Sequence, residues 1–250
     1  MKYHFLTILA LAALITGCKK DDDVAEDPHV HQHGTIRLDH TFMNDAQAFT
    51  LDSTVTDSLG RKVRFTVARF LTSAYKLQDD AHVTVADFPG TYILADAALA
   101  SNSFELGEME AGHMHSLMFD LGLDSATNHS DPTLYTEAPL NDPTMHWSWN
   151  PAAGYKFLAL EGRVDANGDG TVDASDPEFV YHCAMDMLRT TVEVHAHHDL
   201  VVDETYTINV NVDMGEILSG IDVAGNLNAM GATPLNQRLM QNLALALDTE

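Results

Sequence analysis

Residues 190–202 read TTVEVHAHHDLVV, in which Val192, Val194 and Ala196 alternate with polar residues. Alternation with a period of two places the two sets of side chains on opposite faces of a β-strand. Similar runs cover residues 35–42, 62–77, 82–88, 91–96, 115–123, 155–164 and 205–214. Gly, Asp, Asn and Pro separate these runs, and no repeating pattern of strand and long helix occurs in the sequence. The sequence therefore predicts an all-β fold, an antiparallel, Ig-like β-sandwich.

The C-terminal segment PLNQRLMQNLALAL, residues 234–247, departs from this alternation because leucine recurs at every fourth position. The leucines are Leu235, Leu239, Leu243 and Leu247. This spacing places them on one face of a helix, and Pro234 suits the first helical turn. We expect a C-terminal helix that packs on the sandwich.

The segment DANGDGTVDASD, residues 165–176, resembles the twelve-residue calcium loop of EF-hands. The expected ligands are Asp165, Asn167, Asp169, Thr171 through its carbonyl, Asp173 and Asp176. Gly170 stands at the sixth position, where the sharp turn needs positive φ. Asp176 replaces the usual glutamate, as in dockerin-type loops. We expect an inserted loop that a structural calcium ion stabilises; the alternative is a polar turn rich in Asp and Gly.

The first eighteen residues, MKYHFLTILALAALITGC, indicate export. Lys2 precedes a short apolar run that ends in LITGC, which resembles a bacterial lipobox. The resemblance implies a signal peptide over residues 1–17, cleavage before Cys18, and a lipid on its sulfur; a short transmembrane anchor is the alternative. The following KKDDD is similar to the acidic export signal of some Bacteroidetes lipoproteins. We therefore expect an outer-membrane lipoprotein that faces the periplasm or the cell surface.

Residues 18–34 are polar and acidic and end in the histidine-rich PHVHQHG. This composition predicts a disordered tether, whose His29, His31 and His33 bind a metal only loosely. The globular domain is expected over residues 35–250. Once Cys18 carries a lipid, Cys183 is the one remaining thiol and cannot form an internal disulfide. We expect Cys183 to be a small buried residue.

The formal charge of the chain is −24, from 37 acidic and 13 basic residues. So acidic a chain repels a phosphate backbone, which excludes nucleic acid as a partner, and attracts cations. No Gly-x-Ser-x-Gly elbow, phosphate loop or His-Glu-x-x-His helix occurs in the sequence. We therefore expect a binding protein and not an enzyme.

Two His-x-His pairs stand out among the 14 histidines. His113 and His115 lie in GHMHS, and His195 and His197 lie in VEVHAHHD. Residues two apart on a strand project from one face, so each pair can supply two ligands to one ion. His198 is expected on the opposite face. Isolated surface histidines are the alternative.

Both tryptophans of the chain lie in MHWSW, residues 145–149. If this segment is a strand, Trp147 and Trp149 share one face, and His146 and Ser148 share the other. Two aromatic side chains that fill the sandwich are the simpler interpretation, since truncating a buried tryptophan costs roughly 3–5 kcal/mol.

The longer segment MHWSWNPAAGYKFLALEG, residues 145–162, resembles the signature of the MbnP-like family of methanobactin-associated copper-binding proteins. In that signature a Met-x-Trp-x-Trp segment leads into Gly-Tyr-Lys-Phe. Further segments that resemble the family are residues 104–132, FVYHC at 179–183, residues 208–218 and the leucine-rich helix. The family's usual glycine after the histidine of FVYHC is absent. The resemblance covers roughly residues 35–250.

The resemblance implies an exported β-sandwich that binds, stores or hands on copper. It also implies that Trp147 or Trp149 is oxidised to kynurenine by a dihaem partner enzyme of the MauG type, and that the new ring amine helps bind Cu(I). His129 and His182 match family positions. The candidate copper ligands near the tryptophans are therefore His113, His115, His129, His146, His182, His195 and His197.

Two other functions stay open at this point. A calcium-stabilised adhesion or interaction module at the cell surface would use its histidines for nothing specific. A redox accessory protein would use its tryptophan as the substrate of the haem partner.

Overall fold

The structure is a computed structural model that describes residues 32–148 and 150–249 of the 250-residue chain. Its strands are β1 (His33–Asn44), β2 (Gln47–Ala48), β3 (Val55–Thr56), β4 (Lys62–Gln78), β5 (Thr84–Asp96), β6 (Ser103–Glu110), β7 (Gly112–Leu121), β8 (Lys156–Val164), β9 (Glu178–Ala184), β10 (Thr190–Leu200), β11 (Thr205–Asp213), β12 (Asn228–Gly231) and β13 (Leu247–Thr249). The helices are α1 (Ser125–Asn128), α2 (Met214–Ile217) and α3 (Pro234–Leu245). Short 3₁₀ turns cover Pro132–Leu134, Pro151–Ala153 and Asp186–Leu188.

Two sheets share one apolar core, which confirms the predicted all-β sandwich. One sheet has the strand order β13-β11-β1-β2, and β6 also pairs with β1. The other has the order β10-β7-β4-β8-β9-β12, and β3 and β5 also pair with β4. Most neighbours are antiparallel, but β1 runs parallel to β11 and β9 runs parallel to β12. The second sheet holds every strand that carries a candidate copper ligand described below.

Alternating burial along the strands shows why this sequence folds as a sandwich. In β1, Ile36, Leu38 and Phe42 are buried, Arg37 and Asp39 between them are partly buried, and Thr41 is exposed. Each such side chain removed from water contributes about 1.5–3 kcal/mol. His40 stands on the same buried face of β1 and is 4% exposed. The core therefore contains the imidazole of His40 among its apolar side chains.

Besides shifts of a few residues at strand ends, the strands differ from the predicted runs at two places. The runs at 82–88 and 91–96 form one strand, β5. Strand β1 begins at His33, inside the predicted tether, because residues 33–39 pair with β6. The rest of the tether, with His29 and His31, lies outside the described residues, as do the signal peptide and Cys18.

Helix α3 confirms the predicted C-terminal helix, and Thr233 caps it by accepting a hydrogen bond from the Asn236 amide. Leu239 and Leu243 are buried against the sandwich. The helix ends at Leu245, so Leu247 is not on its face as predicted but in β13, where it pairs with Val212. Pairing with β11 satisfies the backbone groups that another helical turn would have used. Among the described helices, none has the length and apolar character needed to cross a membrane.

Candidate metal centre

The two His-x-His pairs lie on neighbouring strands, because β7 and β10 pair antiparallel at the edge of the larger sheet. Asp199 pairs with His113, and His195 pairs with Ser116. A bulge between His195 and His198 adjusts the register between these two contacts. Met114 is buried, so the flanking His113 and His115 lie on the outer face of the sheet. The fold thus brings together histidines that are about eighty residues apart in sequence.

The four imidazoles form two close pairs. The ring centroids of His113 and His197 are 4.7 Å apart, and those of His115 and His195 are 4.6 Å apart. The ring of His197 is 6.0 Å from that of His115 and 6.2 Å from that of His195. Each close pair consists of one histidine from each strand.

Asp80 adds a carboxylate to both pairs. It lies in the turn between β4 and β5, which Asp79 stabilises by accepting hydrogen bonds from the amides of Ala81 and Val83. Its Oδ2 is 3.0 Å from Nε2 of His113. Its Oδ1 is 3.0 Å from Nδ1 of His115.

These contacts do not have hydrogen-bond geometry. Nε2 of His113 and Nδ1 of His115 are both buried from solvent and have no hydrogen-bond partner. Two ligand atoms of one ion, each bonded at about 2.0–2.1 Å, are roughly 2.9–3.4 Å apart and direct their lone pairs at the ion instead of at each other. Asp80, His113 and His197 form the one group of three His, Cys, Asp or Glu side chains, within residues 32–148 and 150–249, whose ligand atoms all lie within 4.8 Å of one another. This group could hold a metal ion.

Asp199 orients His113. Its Oδ1 is 2.7 Å from Nδ1 of His113, and this hydrogen bond raises the pKa of the imidazole. If Nδ1 carries the proton, Nε2 is left as the ligand atom on the side of Asp80, as in metal sites where a carboxylate holds the ligand histidine. Asp80 and Asp199 were not predicted from the sequence. Asp199 was detectable from its position two residues after His197, whereas no sequence signal marks Asp80.

The donor atoms of the cluster are nitrogen and oxygen. Met114, between the two histidines of β7, is buried on the other face of the sheet and offers no sulfur here. Imidazole and carboxylate ligands suit divalent ions such as Cu(II) and Zn(II) better than Cu(I), which prefers softer donors. A cavity of about 430 Å³ borders His195 and His197 and extends to Tyr206 and Asp248. His198 instead stacks on Tyr206, with ring centroids 3.8 Å apart.

The other predicted histidines lie elsewhere. His129 follows α1, and its Nε2 is 3.1 Å from Oδ1 of Asp186. His146 packs edge-on against Tyr155, with ring centroids 5.0 Å apart, and burial lowers its pKa. Neither joins the four clustered imidazoles.

His182 of β9 lies beside Trp147, with ring centroids 6.3 Å apart and planes at 74°. Its Nε2 is 2.8 Å from Oε1 of Glu161, whereas its Nδ1 is buried without a hydrogen-bond partner. Burial lowers the pKa of this imidazole. Trp147 is 4% exposed and packs with Ala184 and Met230.

The tryptophan segment is not the predicted strand. Its pairing is limited to a single bridge between His146 and Tyr155, although Met145 and Trp147 are buried and Ser148 is exposed as alternation requires. Turns on both sides, NDPT and NPAAG, keep the segment too short for a ladder. Trp149 lies outside the described residues.

The clustered histidines are not beside Trp147. Strands β4 and β8 separate β7 from β9, which amounts to about 14 Å across the sheet. The candidate copper ligands therefore fall into separate places, and the largest group is at the β7–β10 edge.

The sequence model of the family described as MbnP matches residues 31–236. This chain belongs to the MbnP family. The computed structure is similar to that of MbnP from Methylosinus trichosporium, with a TM-score of 0.54 and 16% identity over 74% of this chain and 78% of that chain. This likeness shows a shared fold. No curated protein matches the sequence. The resemblance predicted from the tryptophan signature is thus confirmed.

The predicted calcium loop of this MbnP family member connects β8 and β9. Gly170 has φ of +87°, as the loop position requires. Asp165 is 3% exposed and accepts hydrogen bonds from the amides of Gly168, Asp169 and Gly170. The loop carboxylates bond to their own backbone and side chains and, in the part of the chain that the structure describes, form no group within 4.8 Å. Calcium binding stays a prediction.

Cys183 is buried and free, as predicted, and burial raises the pKa of its thiol. It contributes to the core beside α3 and offers no ligand at the surface.

Proposed function

We propose that this MbnP family member binds copper at the β7–β10 cluster, which consists of Asp80, His113, His115, His195 and His197. The observation that carries the proposal is the approach of Asp80 to two imidazole nitrogens at 3.0 Å without hydrogen bonds. Unpaired buried nitrogens are costly unless another partner uses their lone pairs. Membership of the MbnP family favours copper as that partner.

The proposed role is to bind, store or hand on copper without turnover. The chain would be anchored at the outer membrane through the lipid on Cys18. Side chains of His113 and His115 are about one-third exposed, at 30% and 32%. Solvent access of this kind allows a second protein or a small chelator to replace one ligand at a time. The strong negative charge of the chain raises the local concentration of cations.

Copper titration of the purified protein tests the proposal. The reference protein carries alanine at His29 and His31, so that the tail histidines contribute nothing. His113→Ala with His197→Ala should lower copper affinity by at least 100-fold, because two of the ligands are lost. His198→Ala, on the same strand but stacked on Tyr206, is the matched control and should leave affinity unchanged. Equal copper binding by the double variant and the control would refute the proposal.

Trp147 and His182 are a second candidate locus for copper. Nδ1 of His182 is buried without a hydrogen-bond partner, and the indole and the Met230 side chain pack nearby. The proposal here is that a MauG-type dihaem enzyme, with peroxide as the oxidant, opens the indole ring of Trp147 or Trp149, that the indole C2 leaves as formate to give kynurenine, and that Cu(I) then binds. Intact mass of protein from its native host tests this step, because kynurenine has one oxygen more and one carbon less than tryptophan. Trp147→Phe and Trp149→Phe identify the modified residue, and an unmodified mass contradicts this candidate.

A further inference from the structure

We infer that Asp80 makes the β7–β10 cluster select Cu(II) over Cu(I), so that one-electron reduction releases the bound copper. This inference rests on the proposed function and specifies the oxidation state of the copper and the residue that sets it. The histidines of the cluster supply affinity for both oxidation states, whereas the carboxylate of Asp80 discriminates between them.

A single ion would have two kinds of ligand at this place. Among the residues that the structure describes, Asp80, His113 and His197 are the side chains whose ligand atoms lie within 4.8 Å of one another. Imidazole is neutral and suits copper in both oxidation states, whereas a carboxylate is a hard, charged ligand. Doubling the charge of the ion doubles its Coulomb attraction to the Asp80 carboxylate. Asp80 therefore stabilises Cu(II) more than Cu(I).

The methionines of β7 add no soft ligand that would offset this preference. Met114 is buried on the other face of the sheet. Met118 pairs with Glu193 and lies five residues along the strand from His113, which is roughly 16 Å. Thioether sulfur is a ligand that selects Cu(I), and neither methionine presents its sulfur to the three ligand atoms.

The surroundings of the three ligands also favour the more highly charged ion. The hydrogen bond to Asp199 and the negative charges of Asp80 and Asp79 raise the pKa of His113. The same negative charges attract a divalent ion more strongly than a monovalent one. Reduction removes one positive charge from the ion and leaves these carboxylates unchanged, so the reduced ion is held less tightly.

Asp80 can be replaced without disturbing the turn that carries it. Its side chain is 67% exposed. Asp79 stabilises the turn, because its carboxylate accepts hydrogen bonds from the amides of Ala81 and Val83. A substitution at position 80 therefore changes one ligand and leaves the backbone in place, which makes the role of this single residue testable.

The release step needs an external electron donor. A soluble one-electron reductant such as ascorbate transfers one electron to Cu(II), the reductant is oxidised, and no protein group changes its oxidation state. The resulting Cu(I) leaves Asp80 and the two imidazoles for an acceptor with sulfur ligands, which Cu(I) prefers. The protein therefore hands copper on when its surroundings become reducing.

Titration with both oxidation states tests the inference. The reference protein without His29 and His31 is titrated with Cu(II) in air and with Cu(I) under nitrogen, each against a competing chelator. Asp80→Asn should weaken Cu(II) binding at least about tenfold and Cu(I) binding less than about threefold. Asp80→Met, which replaces the carboxylate by a thioether, should also tighten Cu(I) binding. His82→Asn, on the same exposed turn, is the matched control and should bind both ions as the reference protein does.

Copper retention gives a second readout. After treatment with ascorbate and a Cu(I) chelator, the reference protein and His82→Asn should lose their copper, whereas Asp80→Met should keep more of it. Equal changes of Cu(II) and Cu(I) affinity in Asp80→Asn would overturn the inference and leave the proposed function intact. The same holds if the reference protein binds Cu(I) more tightly than Cu(II) or keeps its copper in ascorbate. No copper bound in either oxidation state would overturn both.

Discussion

His40 allows a quantitative test of the core. It is 4% exposed on the inner face of β1, edge-on to Phe70 at 5.5 Å and Phe119 at 6.4 Å between ring centroids. Neither ring nitrogen has a hydrogen-bond partner. Burial lowers the pKa of this imidazole from 6.5 to about 4, because a charged ring would lose its hydration. The folded protein therefore keeps His40 neutral in mildly acidic solution.

The unfolded chain binds a proton on this residue near pH 6.5, whereas the folded chain does so only near pH 4. The free energy of unfolding is therefore unaffected above pH 7 and falls as the pH drops through this window. A difference of 2.5 pH units between the two pKa values corresponds to about 3 kcal/mol when the loss is complete near pH 4. At pH 5 the expected loss is about 2 kcal/mol.

His40→Phe keeps the approximate volume of the ring and removes both the proton site and the unpaired nitrogens. The free energy of unfolding of wild type and of His40→Phe is measured with urea at pH 7, 6 and 5. A chelator in the buffer removes metal ions. The difference between variant and wild type should grow by about 2 kcal/mol towards pH 5, because all other titrating groups are shared. His82→Asn, at an exposed turn, is the control. Its free energy of unfolding should change with pH as that of wild type does. A difference that stays constant within about 0.5 kcal/mol would refute the reasoning.

Three further predictions concern the backbone and the metals. Gly122→Ala should lower the free energy of unfolding, measured with urea, by roughly 2–4 kcal/mol. The reason is that Gly122 has φ of +101° and that the new methyl group would lie 2.4 Å from the Phe157 ring. A loss under about 1 kcal/mol would contradict this prediction. Chelation of calcium should lower the melting temperature of wild type but not of Asp169→Ala; equal melting of wild type with and without chelator would argue against a calcium site. Free copper at about 100 times its Kd should stabilise the fold by about 2.7 kcal/mol, and His113→Ala with His197→Ala should abolish that gain in thermal melts; an equal gain in both proteins would contradict the proposed ligands.

The strands and the family could be predicted from the sequence because both depend on local patterns. Alternation of the kind seen at Val192, Val194 and Ala196 follows from the pleat of a strand and needs no knowledge of its neighbours. The tryptophan signature is likewise contiguous, and it identified the family before the fold was known. The predicted end of α3 lies beyond the observed end at Leu245. Leu247 fits the helical spacing but pairs with β11, a strand distant in sequence.

The candidate metal site could be predicted only in part. The sequence by itself determined that His113 shares a face with His115, and His195 with His197. In any single β-strand, the side chains of residues two apart project from the same face. Only the tertiary structure decided that β7 lies beside β10, that a turn delivers Asp80 between the pairs, and that β4 and β8 keep this cluster away from Trp147. Strand order and register depend on how whole faces are buried against each other, and that balance of packing cannot be read from any single segment.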